Sequence, residues 1–150
     1  MTQTVLVLNG PNLGRLGTRE PEVYGALDAA GLADAIVGWA SALGMSADVR
    51  QTDDEATLIG WLHGAVDAGC DVVLNPAAFT HYSYALRDAA AQVSSAGLRL
   101  IEVHLTNPAS RERFRHTSVV AGVATGTIAG FGPDSYRLAL AALAGTHEAP

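Results

Sequence analysis

The chain has 150 residues, a net charge of −6 and a hydrophobic share of 49%, which suits one sizeable core and argues against general nucleic-acid binding. No apolar run approaches the length of a membrane span, and the first ten residues lack the basic flank and long apolar stretch of a signal peptide, so a cytoplasmic location is expected. All nine basic residues are arginine; without lysine, Schiff-base chemistry and a Walker-type phosphate lysine are excluded.

The apolar run TVLVLN (4–9) reads as a buried strand. LNGPNLGRLGTREPEVYG (8–25) follows, eighteen residues with four glycines and two prolines, longer than the usual connection in a compact domain. Residues 27–44 read as a helix ending at Gly44, and MSADVRQ (45–51) as a second strand. TDDEATLIGWLHGAVDAG (52–69) reads as a helix with Thr52 or Asp53 as N-cap and acidic residues in its first turn. CDVVLN (70–75) is a third strand; its lone Cys70 excludes an intramolecular disulfide and reads as an inert core thiol. THYSYALRDAAAQVSSAG (80–97) is helical with Thr80 or His81 at its start, and 98–105 is a fourth strand. PASRERF (108–114) is a short helical turn, 123–130 a fifth strand and 133–145 the closing helix.

Strands apolar on both faces, alternating with helices, predict an α/β fold in which helices cover a parallel sheet. Five strands suggest a flavodoxin-like three-layer sandwich with strand order 2-1-3-4-5, in one domain over 1–150. Ligands of such sheets bind beyond the carboxyl ends of the strands, at the switch point between strands 1 and 3. The unusual segments all follow strand ends: the long loop after strand 1, NPAAFTH after strand 3 and HLTNPASR after strand 4.

Each of these segments has a plain reading beside a chemical one. The first loop is either a structural Ω-loop or a functional one, since Arg19, Glu20 and Tyr24 crowd beside its glycines. GPNLGRLG matches neither the dinucleotide nor the Walker pattern. Asn75 ends a strand; His81 either caps the next helix or faces a ligand, and Arg87 and Asp88 also suit a solvated helix face. Ser83 near His81 and Asp88 evokes a hydrolase triad, but no GxSxG sequence accompanies it. Glu102 and His104, two apart on a strand, share a face. A glutamate there fixes the imidazole tautomer and favours a general acid, whereas the plain alternative is a charged pair at a sheet edge. Arg111 and Arg115 share a face while Arg113 points elsewhere, and a metal site from His81, His104 and a carboxylate lacks any supporting ligand spacing.

Proton abstraction beside a carbonyl, followed by elimination, would use a tyrosine, arginines, asparagines and a histidine without lysine. Lowering a tyrosine from about 10 toward neutrality needs about three units, or roughly 4 kcal/mol. One arginine at about 4 Å supplies roughly that at an effective dielectric of 20. Arg19 is the nearby candidate for Tyr24.

With LNGPNLGRLGTREPEVYG, NPAAFTHYSYALRDA, IEVHLTNPASRERFRHTSVV and ATGTIAGFGPDSYRLAL in this order, the chain closely resembles the type II 3-dehydroquinases (3-dehydroquinate dehydratases) from about Val5 to Ala144. The resemblance implies a flavodoxin-like fold, conversion of 3-dehydroquinate to 3-dehydroshikimate in the shikimate pathway, no cofactor or metal, and a homododecamer built as a tetramer of trimers. By motif position it implies Tyr24 as the base at C2, Arg19 as the group lowering its pKa, and Asn12 as holder of the water that stabilises the enolate oxygen. His104 becomes the general acid for the C1 hydroxyl, supported by Glu102. Asn75 and the backbone N–H groups of Leu105 and Thr106 would grip the substrate carboxylate. His81, Arg115 and Asp88 would bind ring hydroxyls, with Asp88 reaching a neighbouring subunit's site. The departures are Tyr82, where many members have threonine, the GFGPDSY ending, and the Leu105–Thr106 pair. A flavodoxin-like binding module without catalysis is the alternative reading; neither reading involves nucleic acid or membrane.

Overall fold

The computed structural model describes residues 2–18, 22 and 27–145. Its five strands are β1 (Gln3–Asn9), β2 (Met45–Gln51), β3 (Asp71–Asn75), β4 (Leu100–His104) and β5 (Gly126–Ala129). They form one all-parallel sheet in the order β2-β1-β3-β4-β5. The helices are α1 (Ala29–Ala42), α2 (Glu55–Ala68), α3 (Tyr84–Ser95) and α4 (Asp134–Ala144). This is the expected α/β architecture and strand order.

Successive strand residues point to opposite faces, and that parity divides the core in two. Val5, Val7, Val73, Ile101 and Val103 pack against Leu32, Ile36 and Ala40 of α1 and Ala139, Leu140 and Leu143 of α4. Leu6, Leu8, Val72, Leu74 and Leu100 pack against Leu58 and Leu62 of α2 and Leu86, Ala90 and Val93 of α3. Burial on both faces explains why the strands read as unbroken apolar runs.

Two helix starts and one helical turn differ from the sequence reading in instructive ways. Asp54, not Thr52 or Asp53, caps α2, accepting from the Thr57 N–H at 3.2 Å. The Thr52 N–H instead extends the β2 edge by bonding the Asn9 carbonyl, and Asp53 is engaged elsewhere. The segment after β3 forms a 3-10 turn (Ala77–His81) before the chain extends at Ser83, so α3 begins four residues later than Thr80. Neither Thr80 nor His81 caps that helix; Ser83 does, accepting from Leu86 N–H at 3.0 Å. Likewise 108–114 is not one turn but two, Pro108–Ser110 and Arg113–His116, separated by extended backbone at Arg111. Gly69 ends α2 with φ of 72°, a left-handed conformation that glycine adopts without steric cost. Cys70 lies just outside β3 and is only half-buried, packed against the edge of the core. Among the described residues no helix is long and apolar enough to cross a membrane.

Candidate active site

The carboxyl ends of β1, β3 and β4 open onto a cleft continuous with solvent, where open α/β sheets bind small molecules. Its walls include Asn12, Asn75, His81, His104, Leu105, Thr106 and Arg115. Seven residues proposed from three separate sequence segments therefore meet in one place. They meet because β1 and β3 are neighbours in the sheet and their ends are in register, Asn9 beside Asn75.

Glu102 is fully buried, at 0% exposure, directly beneath His104. Its Oε2 lies 2.5 Å from His104 Nε2 and accepts from Thr80 Oγ1 at 2.6 Å. Ser118 Oγ completes the enclosure, 3.0 and 3.1 Å from the two carboxylate oxygens. Burial pushes the carboxyl's pKa up, but the hydrogen bond and charge of His104, with the Thr80 and Ser118 hydroxyls, outweigh it and leave the pKa below its ordinary value. An ionised carboxylate only accepts, so Nε2 must carry the proton of that contact. Nδ1 is then the ring's remaining position for proton exchange. The arrangement is not a charged pair at a sheet edge, since β4 lies between β3 and β5 and Glu102 is sealed from water.

The other walls are equally specified. His81 Nδ1 lies 2.8 Å from the Thr117 carbonyl, which can only accept. His81 is thus protonated at Nδ1, and its Nε2 is the free position on the ring. The Phe114 ring meets His81 edge-on at 5.7 Å, and the Arg115 guanidinium lies 4.6 Å from the same ring. Arg115 is also held by Glu112 at 3.2 Å. Asn12 adopts φ of 68°, with its backbone N–H donating to Asp53 Oδ1 at 2.8 Å. Gln51 donates to the Gly10 carbonyl at 3.2 Å and to Asp53 at 3.1 Å. The end of β2 therefore anchors the start of the long loop. Gly10 is required there: a Cβ would sit 2.7 Å from the Pro76 carbonyl oxygen.

Asp88 does not line this cleft. It lies on α3, with its side chain 69% exposed and paired with Arg87 at 2.8 Å. Arg19 and Tyr24 lie outside the described residues. Ser83 is buried and spends its hydroxyl on the helix cap, which removes it as a hydrolase nucleophile. Tyr82 is 60% exposed, its ring edge against Phe79. No group of three or more histidine, cysteine or carboxylate side chains among the described residues is arranged as metal ligands.

A family model described as dehydroquinase class II matches residues 3–144. The chain belongs to that family. A 3-dehydroquinate dehydratase from Salinispora arenicola is 57% identical over 144 residues, covering 96% of this chain and 99% of that protein. The 3-dehydroquinate dehydratase 2 of Pseudomonas aeruginosa is 51% identical over 149 residues, 99% of each chain. The crystal structure of a type II dehydroquinase from Propionibacterium acnes superposes with a TM-score of 0.92 at 50% identity, covering 96% of this chain and 97% of that one. These likenesses give the alternative of a non-catalytic binding module no support.

Within this class II dehydroquinase, several site residues escaped the sequence reading. Arg111 lines the cleft and reaches Thr106 Oγ1 at 3.3 Å; its shared face with Arg115 was the available signal. Thr80 and Ser118 hold Glu102, and Asp53 holds Asn12. Nothing in their local spacing marks those pairings, which span 16 to 41 positions.

Proposed function

We propose that this chain converts 3-dehydroquinate to 3-dehydroshikimate by eliminating water through an enolate; the relatives named above as 3-dehydroquinate dehydratases support the dehydration of that substrate. The observation that carries the reading is the buried Glu102–His104 pair in the wall of a cleft whose other polar groups suit a small polyhydroxylated carboxylate. Side-chain and backbone amide donors suit the carboxylate, and the Nε2 of His81 accepts from a hydroxyl.

In this mechanism Tyr24, as phenolate beside Arg19, removes a proton from C2. The C2–H electron pair moves into the C3 carbonyl, forming an enolate, and a water held by Asn12 stabilises the oxygen. The enolate then collapses to the C1=C2 double bond. The C1–O bond breaks, and His104 protonates the departing hydroxyl to give water. Tyr24 has gained one proton and His104 has lost one, so returning a proton between them closes the cycle. Glu102 holds the imidazole in the required tautomer and stabilises its charged form. Asn75 and the N–H groups of Leu105 and Thr106 bind the substrate carboxylate; His81 and Arg115 bind ring hydroxyls.

The whole chain acts as one catalytic domain in the cytoplasm, needs no cofactor, and assembles as a homododecamer, a tetramer of trimers. Asp88 serves the cleft of a neighbouring subunit. Its exposure, and its position away from its own chain's cleft, support that role.

Purified protein with 3-dehydroquinate should develop the ultraviolet absorbance of a conjugated enone, with or without chelator. No product, or loss of activity on chelation, would end the reading. Borohydride with substrate should leave activity intact, because no lysine is present to form an imine. Tyr24→Phe should abolish turnover, and substantial residual activity would assign the base elsewhere.

A further inference from the structure

The geometry points to Tyr136 as a positioning residue that, together with the Ala77 N–H, fixes which way the Asn75 amide faces the substrate cleft. The inference rests on the proposed role of Asn75 in substrate binding and deepens it.

An asparagine amide presents an oxygen at one end and an NH2 at the other, and a half-turn exchanges them. A substrate carboxylate requires the NH2 end, so a binding asparagine needs something to hold its orientation. Asn75 is held at both ends. Its Oδ1 accepts from the Ala77 N–H at 3.1 Å, and its Nδ2 donates to the Tyr136 hydroxyl at 2.9 Å. A hydroxyl alone would not decide the orientation, because it can donate or accept. Here its single proton is committed: Tyr136 donates to Asn9 Oδ1 at 2.6 Å. Only its lone pairs remain for Asn75, so the relay runs in one direction, from Asn75 through Tyr136 to Asn9. One N–H of Asn75 is used within the relay, and the second is left for the cleft that Asn75 lines.

The surroundings are those of a built network. Tyr136 comes from α4 and is fully buried, while Asn9 and Asn75 are 5% and 2% exposed. The two asparagines lie side by side at the ends of β1 and β3, and their odd-numbered positions turn them toward the α4 layer. Burial also pushes the Tyr136 phenol far above its ordinary pKa, so it keeps its proton and cannot substitute for a base. No buried polar side-chain atom among the described residues lacks a partner.

The test is Tyr136→Phe, which keeps the buried ring and removes only the hydroxyl. We expect KM for 3-dehydroquinate to rise about three- to tenfold, the value of one hydrogen bond, with kcat within about twofold. In an Asn75→Ala background the same change should leave KM where Asn75→Ala put it. A purely structural hydroxyl would lower the melting temperature without this split. Wild-type KM in Tyr136→Phe, or an equal KM rise in both backgrounds, would overturn the assignment. Asn75→Ala with wild-type KM would overturn it together with the binding role of Asn75, and that single variant reports this by itself. If Tyr136→Phe does not fold, Asn9→Ala probes the other end: it takes away the acceptor of the hydroxyl proton, so the Tyr136 oxygen is no longer committed to accepting from Asn75, and KM should also rise. An unchanged KM there refutes the relay.

Discussion

Replacing Glu102 by glutamine tests whether a buried carboxylate, and not merely its shape, supports His104. Glutamine fills the same volume, but one acceptor becomes a donor and the charge is lost. In the best orientation its oxygen occupies the Oε2 position, which keeps Thr80 and His104 as partners at 2.6 and 2.5 Å. Each bond then falls from about 2 kcal/mol, for a charged acceptor, to about 1 kcal/mol. The new NH2 meets Ser118, whose oxygen already accepts from the Val120 and Ala121 N–H groups at 3.2 and 3.0 Å. That mismatch costs about 1 kcal/mol more. The expected loss is about 3 kcal/mol, or about 1.5 M in urea midpoint for a slope of about 2 kcal/mol per M. Urea titrations at one fixed protein concentration measure it, since association would otherwise shift the midpoint. The pH dependence has a definite sign. The folded pKa of Glu102 lies below its ordinary value, so its stabilisation is complete above the unfolded value near 4.3 and is lost as pH falls through the folded one. The gap between wild type and Glu102→Gln should therefore persist at neutral pH and narrow in acid. Turnover should fall on the order of 10² to 10⁴, the scale for neutralising a carboxylate behind a catalytic histidine. A gap below about 1 kcal/mol at pH 7, or one unchanged down to about pH 3, would refute the electrostatic account.

Other substitutions probe separate parts of the structure. Gly10→Ala would drive a Cβ to 2.7 Å from backbone at Pro76, so we expect about 1–3 kcal/mol of destabilisation and reduced kcat/KM; a variant matching wild type in both would contradict the close approach of these two loops. Ser83→Ala removes the α3 cap and should cost about 1 kcal/mol in thermal or urea unfolding. Its kinetics should stay unchanged, because abolished turnover would make Ser83 a reacting group. Asp88→Ala and Tyr24→Phe should each be impaired alone, yet recover activity when unfolded together and reassembled. In such mixtures, intact Tyr24 and intact Asp88 meet across subunits, and absence of recovery would place Asp88 outside the neighbour's site.

How much of the site was readable varies residue by residue. Glu102 and His104 were legible as a pair because strand parity is a two-residue property, and the strand context came from a local apolar run. Asn75 is legible at the end of a local apolar run, whereas Thr106 comes only from the resemblance to the family. The start of α3 is not legible, because 80–97 looks helical throughout in composition. The turn over Ala77–His81 belongs to the path the chain takes off the sheet, and Ser83 was free to cap only after that turn formed. Asp53 was read as a cap from its position before a helix, but the neighbouring loop claimed it through the Asn12 N–H.

While the suggested strand order was settled by pairing in the sheet, the sequence by itself determined the alternation of strands and helices and the strand ends after which the chemistry sits. These rest on short-range periodicity and turn composition, which neighbouring residues carry together. Only the tertiary structure decided what holds the chemical groups still. Thr80 and Ser118 clasp Glu102 from loops 22 and 16 positions away, and Tyr136 reaches Asn9 across 127. A buried polar atom must find a partner wherever the folded chain brings one within hydrogen-bond reach. Partner choice is therefore a property of packing between layers, and no local pattern records it.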